Sequence, residues 1–178
     1  MAVHSFIQVF LLLLLLLVQL VRVSSVCTYV PDLTGLVVIP SNDTTVAENA
    51  FLDCAELKKV IFEEGTQLTS INQTAFYRSG LTSIVIPAGC VSIGVSAFEL
   101  CVSLVYVSFV EESQLLTIGD RAFQRTSIRS IIIPNSVVTL GAQVLTCCDG
   151  SQTNSHSTCG LLESVVMQEF SVLQTIGS

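Results

Sequence analysis

Short alternating runs of apolar residues recur along the chain from about residue 34 onward. Val60 and Phe62, Ile84 and Ile86, Val107 and Phe109, and Ile131 and Ile133 each stand two apart. Side chains two apart share one face of a strand, so these pairs are expected to point into the body while Ser83 and Val85 point out. Proline or an acidic-polar turn closes each run. A second short apolar run then reaches Ile-Gly at 93–94, 118–119 and 176–177, with Leu140–Gly141 and Ile71–Asn72 as variants. Gly and Asn accept a left-handed backbone, so this column predicts a recurring tight bend. Ala-Phe follows at 50–51, 75–76, 97–98 and 122–123, and Val144–Leu145 takes the next slot. A small and a large residue are thereby offered to the interior before the next strand.

The spacing is regular enough to define a repeat. Pro40, Pro87 and Pro134 are 47 residues apart, as are Phe51, Phe98 and Leu145, and Cys54, Cys101 and Cys148. The Ala-Phe gaps alternate between 25 and 22, so the true period is a pair of unlike halves. The short half reads "LTSIVIP…VSIGVSAF" (81–98) and "SIRSIIIP…VTLGAQVL" (127–145). The long half reads "LKKVIFEEGTQLTSINQTAF" (57–76) and "LVYVSFVEESQLLTIGDRAF" (104–123). A degenerate first copy is "TGLVVIP…AENAF" (34–51), and the last is "LESVVMQEFSVLQTIGS" (162–178). A unit of about 23 residues cannot bury its own apolar face, whereas stacked copies can. The prediction is a solenoid, because strands of an ordinary β-sandwich do not keep identical residues in phase.

The run "LxSIxIPxxVxxIGxxAFxxC" resembles the BspA-like class of leucine-rich repeats over about residues 34–178. The resemblance implies a leucine-rich-repeat solenoid, a curved right-handed α/β-type superhelix that is mostly β with short helical or 3-10 turns. A parallel sheet would cover one face. It also implies a secreted or surface-displayed protein, often of microbes and protists, that works in adhesion or partner binding. The repeats would span about 34–56, 57–80, 81–103, 104–126, 127–147 and an incomplete 161–178, within a domain of 26–178. The chain departs from the pattern in a poor first repeat, an insertion at 148–160 and the absence of a closing cap, which leaves open a fragment of a larger surface protein.

Composition adds a compartment. The stretch "SFIQVFLLLLLLLVQLV" (5–21), followed by Arg22 and the pair Ser24–Ser25, reads as a secretory signal peptide over 1–25. An uncleaved N-terminal anchor, the alternative, would be the chain's one contact with a membrane and would still place the rest outside the cytosol. After Ser25 there are six basic and fourteen acidic residues, with no basic cluster beyond Lys58–Lys59. That balance excludes nucleic acid and anionic membrane surfaces as partners.

In an exported chain the seven cysteines are expected to form disulfides. Cys54, Cys101 and Cys148 lie two coils apart, about 10 Å, beyond the roughly 7 Å a bridge spans, so they are read as small buried residues of a repeat corner. Cys27 and Cys90 have no obvious partner. The polar surplus "CCDGSQTNSHSTC" (147–159) is expected to be a loop clipped by Cys147 or Cys148 with Cys159. A zinc site from Cys147, Cys148, His156 and Cys159 is the alternative, but its spacing matches no closed zinc module. No resident metal and no cofactor are expected. Asn42 and Asn72 head glycosylation sequons, relevant on a eukaryotic export route.

No catalytic set stands out. His156 is the single histidine after Ser25, and no phosphate loop, HExxH or nucleophile elbow is present. The outward strand positions form two columns. The first is Leu36, Lys59, Ser83, Tyr106, Ser130 and Ser164, and the second is Val38, Ile61, Val85, Ser108, Ile132 and Val166. Neither holds a carboxylate, which counts against a secreted carbohydrate-active enzyme, the alternative class for a β-solenoid. The second column is apolar on the face that should meet solvent. Val38, Ile61, Val85, Ile132 and Val166, with Lys59 and Tyr106 beside them, are therefore the candidate binding residues for a protein partner, from a host or another copy of the chain.

Overall fold

The computed structural model describes residues 27–146, 164–167 and 175–176. The segment expected to be a signal peptide, Cys147, Cys148, Cys159 and His156, and the insertion all lie outside the described residues. Each coil contributes a four-residue strand and then a two-residue strand. The longer strands are β1 (Leu36–Ile39), β3 (Lys59–Phe62), β5 (Ser83–Ile86), β7 (Tyr106–Phe109), β9 (Ser130–Ile133) and β11 (Ser164–Met167). The shorter ones are β2 (Thr45–Val46), β4 (Ser70–Ile71), β6 (Ser92–Ile93), β8 (Thr117–Ile118), β10 (Thr139–Leu140) and β12 (Thr175–Ile176). All pairings are parallel and join equivalent positions of successive coils, as in Ser83↔Tyr106 and Val85↔Ser108. This is a parallel β-solenoid. Among the described residues no helix forms, and the segments around Ala-Phe, expected to be helical or 3-10 turns, are hydrogen-bonded turns.

Like residues stack because each column must meet its neighbours above and below. The rings of Phe51, Phe76, Phe98 and Phe123 form a file with centroids 4.9, 5.0 and 5.1 Å apart and nearly parallel planes. That interval is about the spacing of hydrogen-bonded strands, so ring stacking and sheet pairing are satisfied together. All four rings are buried, and each contributes roughly 1.5–3 kcal/mol by leaving water. Two aliphatic columns flank the file: Leu57, Leu81, Leu104 and Ile128 before the long strands, and Leu68, Cys90, Leu115 and Val137 before the short ones. Cys90 thus stands in a leucine column as a small core residue.

The turns differ from expectation in one respect. Gly94, Gly119, Gly141 and Asn72 do not have positive φ. Gly94 is required because a Cβ there would lie 2.5 Å from the Gln73 backbone nitrogen of the preceding coil. The column marks a close approach between coils and not a left-handed bend. Left-handed residues instead bracket each Ala-Phe. Asn49, Thr74, Ser96, Arg121 and Gln143 precede it, and Asp53, Arg78, Leu100 and Arg125 follow it, all with φ between 52° and 62°. Such a backbone costs a non-glycine residue about 1–2 kcal/mol. The cost is offset in part because seven of these amides, from Asp53 to Arg125, donate to the next coil, as Ser96 does to Asp120 at 2.8 Å and Leu100 to Gln124 at 2.9 Å.

The N-terminal segment closes the first coil. Cys27 is bridged to Cys54, with Cα atoms 5.6 Å apart. The Tyr29 ring stacks on Phe51 at 5.9 Å and extends the file by one ring. Its hydroxyl donates to Asp43, and that hydrogen bond, with burial and the carboxylate charge, raises the phenol's pKa. Asp32 accepts from the Thr34 hydroxyl and from the amides of Thr34 and Leu36, which holds its carboxyl below the usual range.

Candidate docking face

In β1, β3, β5, β7 and β9 the second and fourth residues face the interior and the first and third face outside. In β11, by contrast, Val165 and Val166 are both exposed. Pairing sets Leu36 beside Lys59, Lys59 beside Ser83 and Ser83 beside Tyr106. It likewise sets Val38 beside Ile61 and Ile132 beside Val166. Val38, Ile61, Val85, Ile132 and Val166 are 40–54% exposed, and Tyr106 is 73% exposed. All the predicted binding residues therefore share one face, with Ser108 as a polar gap in the apolar column.

This face is not a continuous sheet. β1–β3 and β5–β7 pair at all four positions, and the residue after the later strand donates back across the junction. Glu63 N–H reaches the Ile39 carbonyl at 3.1 Å and Val110 N–H reaches that of Ile86 at 3.1 Å. At β3–β5 only Lys59↔Ser83 pairs, and β7 and β9 belong to separate sheets. The residue after the later strand at these two junctions is Pro87 or Pro134, which has no N–H to give. Upstream, Thr82 still donates to Lys58 at 2.9 Å and Ser127 to Leu104 at 3.0 Å. Each junction is thus held before the strand and unpaired toward the strand end, as a wedge. The wedge explains why Phe62 and Phe109, expected to be fully interior, are only half-buried, while Ile86 and Ile133 are buried.

At the β7–β9 wedge lies a cleft of about 430 Å³, lined by Tyr106, Phe109, Val110, Ile132 and Asn135, with Glu111 and Glu112 at the strand-end side. Among the described residues the ion pairs are Arg78–Asp53 at 3.1 Å and Arg121–Glu99 at 3.8 Å, so neither carboxylate of the cleft is salt-bridged. Glu63 and Glu64 occupy the equivalent turn two coils earlier, where Glu63 accepts the Ser41 amide at 2.9 Å and Glu64 is exposed.

The cysteines correct one expectation. Cys54 is a disulfide partner, whereas Cys101 at the equivalent corner is a free buried thiol. Ser79 and Thr126 fill the corners between and beyond them. Cys101 donates to the Phe76 carbonyl at 2.8 Å and Thr126 to that of Phe123 at 3.0 Å, so this column also satisfies turn carbonyls. Burial pushes the Cys90 and Cys101 thiols up to about 11, which keeps them protonated and unreactive. Cys27, Cys54 and Glu56 have donor atoms close enough for a metal, but the two sulfurs are already bonded to each other. Asn42 is exposed in the turn after β1. Asn72 is half-buried and its Oδ1 accepts from Ser70 at 3.0 Å.

The family description "BspA type Leucine rich repeat region" matches residues 25–152 in six copies. The chain belongs to the BspA-type leucine-rich-repeat family. The crystal structure of the pneumococcal vaccine antigen PcpA is 29% identical with a TM-score of 0.68, over 80% of this chain and 34% of that one. The chain thus spans about a third of the antigen's length. A leucine-rich repeat protein of Bacteroides capillosus is 24% identical with a TM-score of 0.48, over 77% of this chain and 79% of that one. A leucine rich cell surface protein of Faecalibacterium prausnitzii is 24% identical with a TM-score of 0.43, over 64% and 36%. No curated protein matches the chain.

Proposed function

We propose that this is the repeat domain of a secreted or surface-displayed protein and that it works as a docking module for a protein partner, without catalysis of its own. The observation that carries the reading is the exposed apolar column Val38, Ile61, Val85, Ile132 and Val166 on the strand face. Five half-exposed aliphatic side chains in one file make a patch that water tolerates poorly and a partner can cover. Lys59 and Tyr106 flank it and supply charge and an amphipathic ring of the kind enriched at interface centres. Family membership and the likeness to a vaccine antigen support display outside the cell. The outward columns of the long strands hold no carboxylate, which favours docking over glycoside hydrolysis, since those enzymes set a pair of acids on either side of the scissile bond. On a eukaryotic export route Asn42, and not Asn72, is the glycan acceptor, because its side chain is exposed.

The test replaces Val85 and Ile132 together by Lys and compares capture of cell-surface proteins by the immobilised parent and variant chains. The variant is expected to keep the parent's circular-dichroism spectrum and to lose the retained protein. Capture at full strength would show that the stripe is only a sheet surface.

A further inference from the structure

The two wedges are not independent features. They recur at the same point of the 47-residue period, each made by a proline after a short-coil strand and each faced by an acidic turn of the preceding long coil. Successive coils are about 5 Å apart, judged by the Phe76–Phe98 and Phe98–Phe123 ring spacings of 5.0 and 5.1 Å. Equivalent points of the wedges are therefore about 10 Å apart along the solenoid axis.

That interval selects a backbone for whatever lies across the coils. A β-strand repeats a face every two residues, about 6.6 Å, and falls out of step at once. An α-helix returns a face every turn, about 5.4 Å, close to the spacing of single coils, so it would set as many side chains over the closed junctions as over the wedges. A polyproline-II segment has three residues per turn and a rise of about 3.1 Å, so every third side chain returns to the same side after about 9.3 Å. Its backbone has no internal hydrogen bonds, and aromatic-lined grooves are the usual receptors for its proline rings. Tyr106, Phe109 and the apolar column supply such a lining. Glu64 at one wedge, and Glu111 and Glu112 at the other, supply unpaired negative charge at the matching interval.

We propose, building on the strand-face reading, that the face binds a polyproline-II segment of a partner protein lying across the coils. Lys or Arg stands at every third residue, and successive basic side chains enter the two wedges. Val85 contacts the prolines between them, Ile132 lines the far side of the second wedge, and the carboxylates receive the cations. Charge attraction makes the contact salt-sensitive.

The probe is a fluorescein-labelled nine-residue peptide of three Pro-Pro-Arg units, titrated with the whole chain by anisotropy at low salt and in 0.5 M salt. Saturable binding is expected, weakened on the order of tenfold by salt and by the Glu111→Gln/Glu112→Gln pair. A peptide of the same composition with its arginines moved to every second position is expected to bind no better than background. Pro134→Val, which restores a donor and closes the wedge, is expected to weaken binding while preserving the fold. The proposal is overturned if the parent chain gives no saturable binding, if both spacings bind equally, or if the Gln pair binds as well as the parent. Displacement of the labelled peptide by a neutral hexasaccharide would assign the cleft to a glycan and overturn it too. If the peptide fails while Val85→Lys/Ile132→Lys still abolishes partner capture, only the spacing argument falls; if capture also survives, the docking face falls with it.

Discussion

The four-residue strands and the two-residue strands run through the same coils, yet the shorter ones make the unbroken sheet. The order β12-β10-β8-β6-β4-β2 is continuous, while the longer strands split into β1-β3-β5-β7 and β11-β9. Strand length and β propensity would favour the opposite result. The difference lies in one donor per coil. After each described short strand from β4 to β10 comes Asn72, Gly94, Gly119 or Gly141, and each donates to the preceding coil at 2.8–3.0 Å. After the long strands the donor alternates with proline. A single missing N–H at a strand end is enough to unzip a parallel pair that has only four residues to hold it, because few other bonds share the load. The unbroken sheet and the phenylalanine file keep the coils stacked, which leaves the strand face free to open.

The comparison can be broken most severely from the inside. Phe98→Ala removes a ring stacked on both neighbours, and should cost about 3–5 kcal/mol in chemical denaturation, whereas Val85→Ser on the open face should cost a small fraction of that. Gly119→Ala attacks the continuous sheet directly. A Cβ there would stand 2.6 Å from the Val95 nitrogen, and the coils must separate to admit it, at about 1–3 kcal/mol measured by thermal unfolding. The smallest effect sharpens the contrast. Pro87→Val supplies the missing donor at the β3–β5 junction, and hydrogen exchange should show a newly protected amide at that position. The net stability change should stay within about 1 kcal/mol, because the added bond is offset by the freedom that losing proline returns to the unfolded chain.

The alternation of Ile84 and Ile86, the recurrence of Ala-Phe and the 47-residue phase were sufficient to place the strands, the interior file and the exposed column. The outward face was legible for the same reason, since a period of two assigns Val85 and Ile132 outward once Ile84 and Ile131 are inward. The turns were less so. Ile-Gly signalled a constraint of the right residue type with the wrong cause, because a glycine required for close approach and a glycine required for positive φ look alike in a sequence. The truly left-handed positions are occupied by Ser96, Leu100, Arg121 and their equivalents, which no composition rule singles out. The Cys27–Cys54 bridge was also hidden, because Cys27 precedes the first repeat and has no phase from which to infer a neighbour. The wedges were visible in principle as the prolines at 40, 87 and 134, but they acquire meaning only beside Glu63 and Val110, the donors that stand at the same position in the other half-unit.

The amino-acid order alone determined that this chain stacks coils, since periodic burial is a local property that every repeat restates. Which junctions between coils close, which cysteine finds a partner and which backbone is left-handed were decided by the assembled coils. Each depends on how far one chain segment sits from another that is 22 to 27 residues away, and that distance is set by packing and not by any residue on its own.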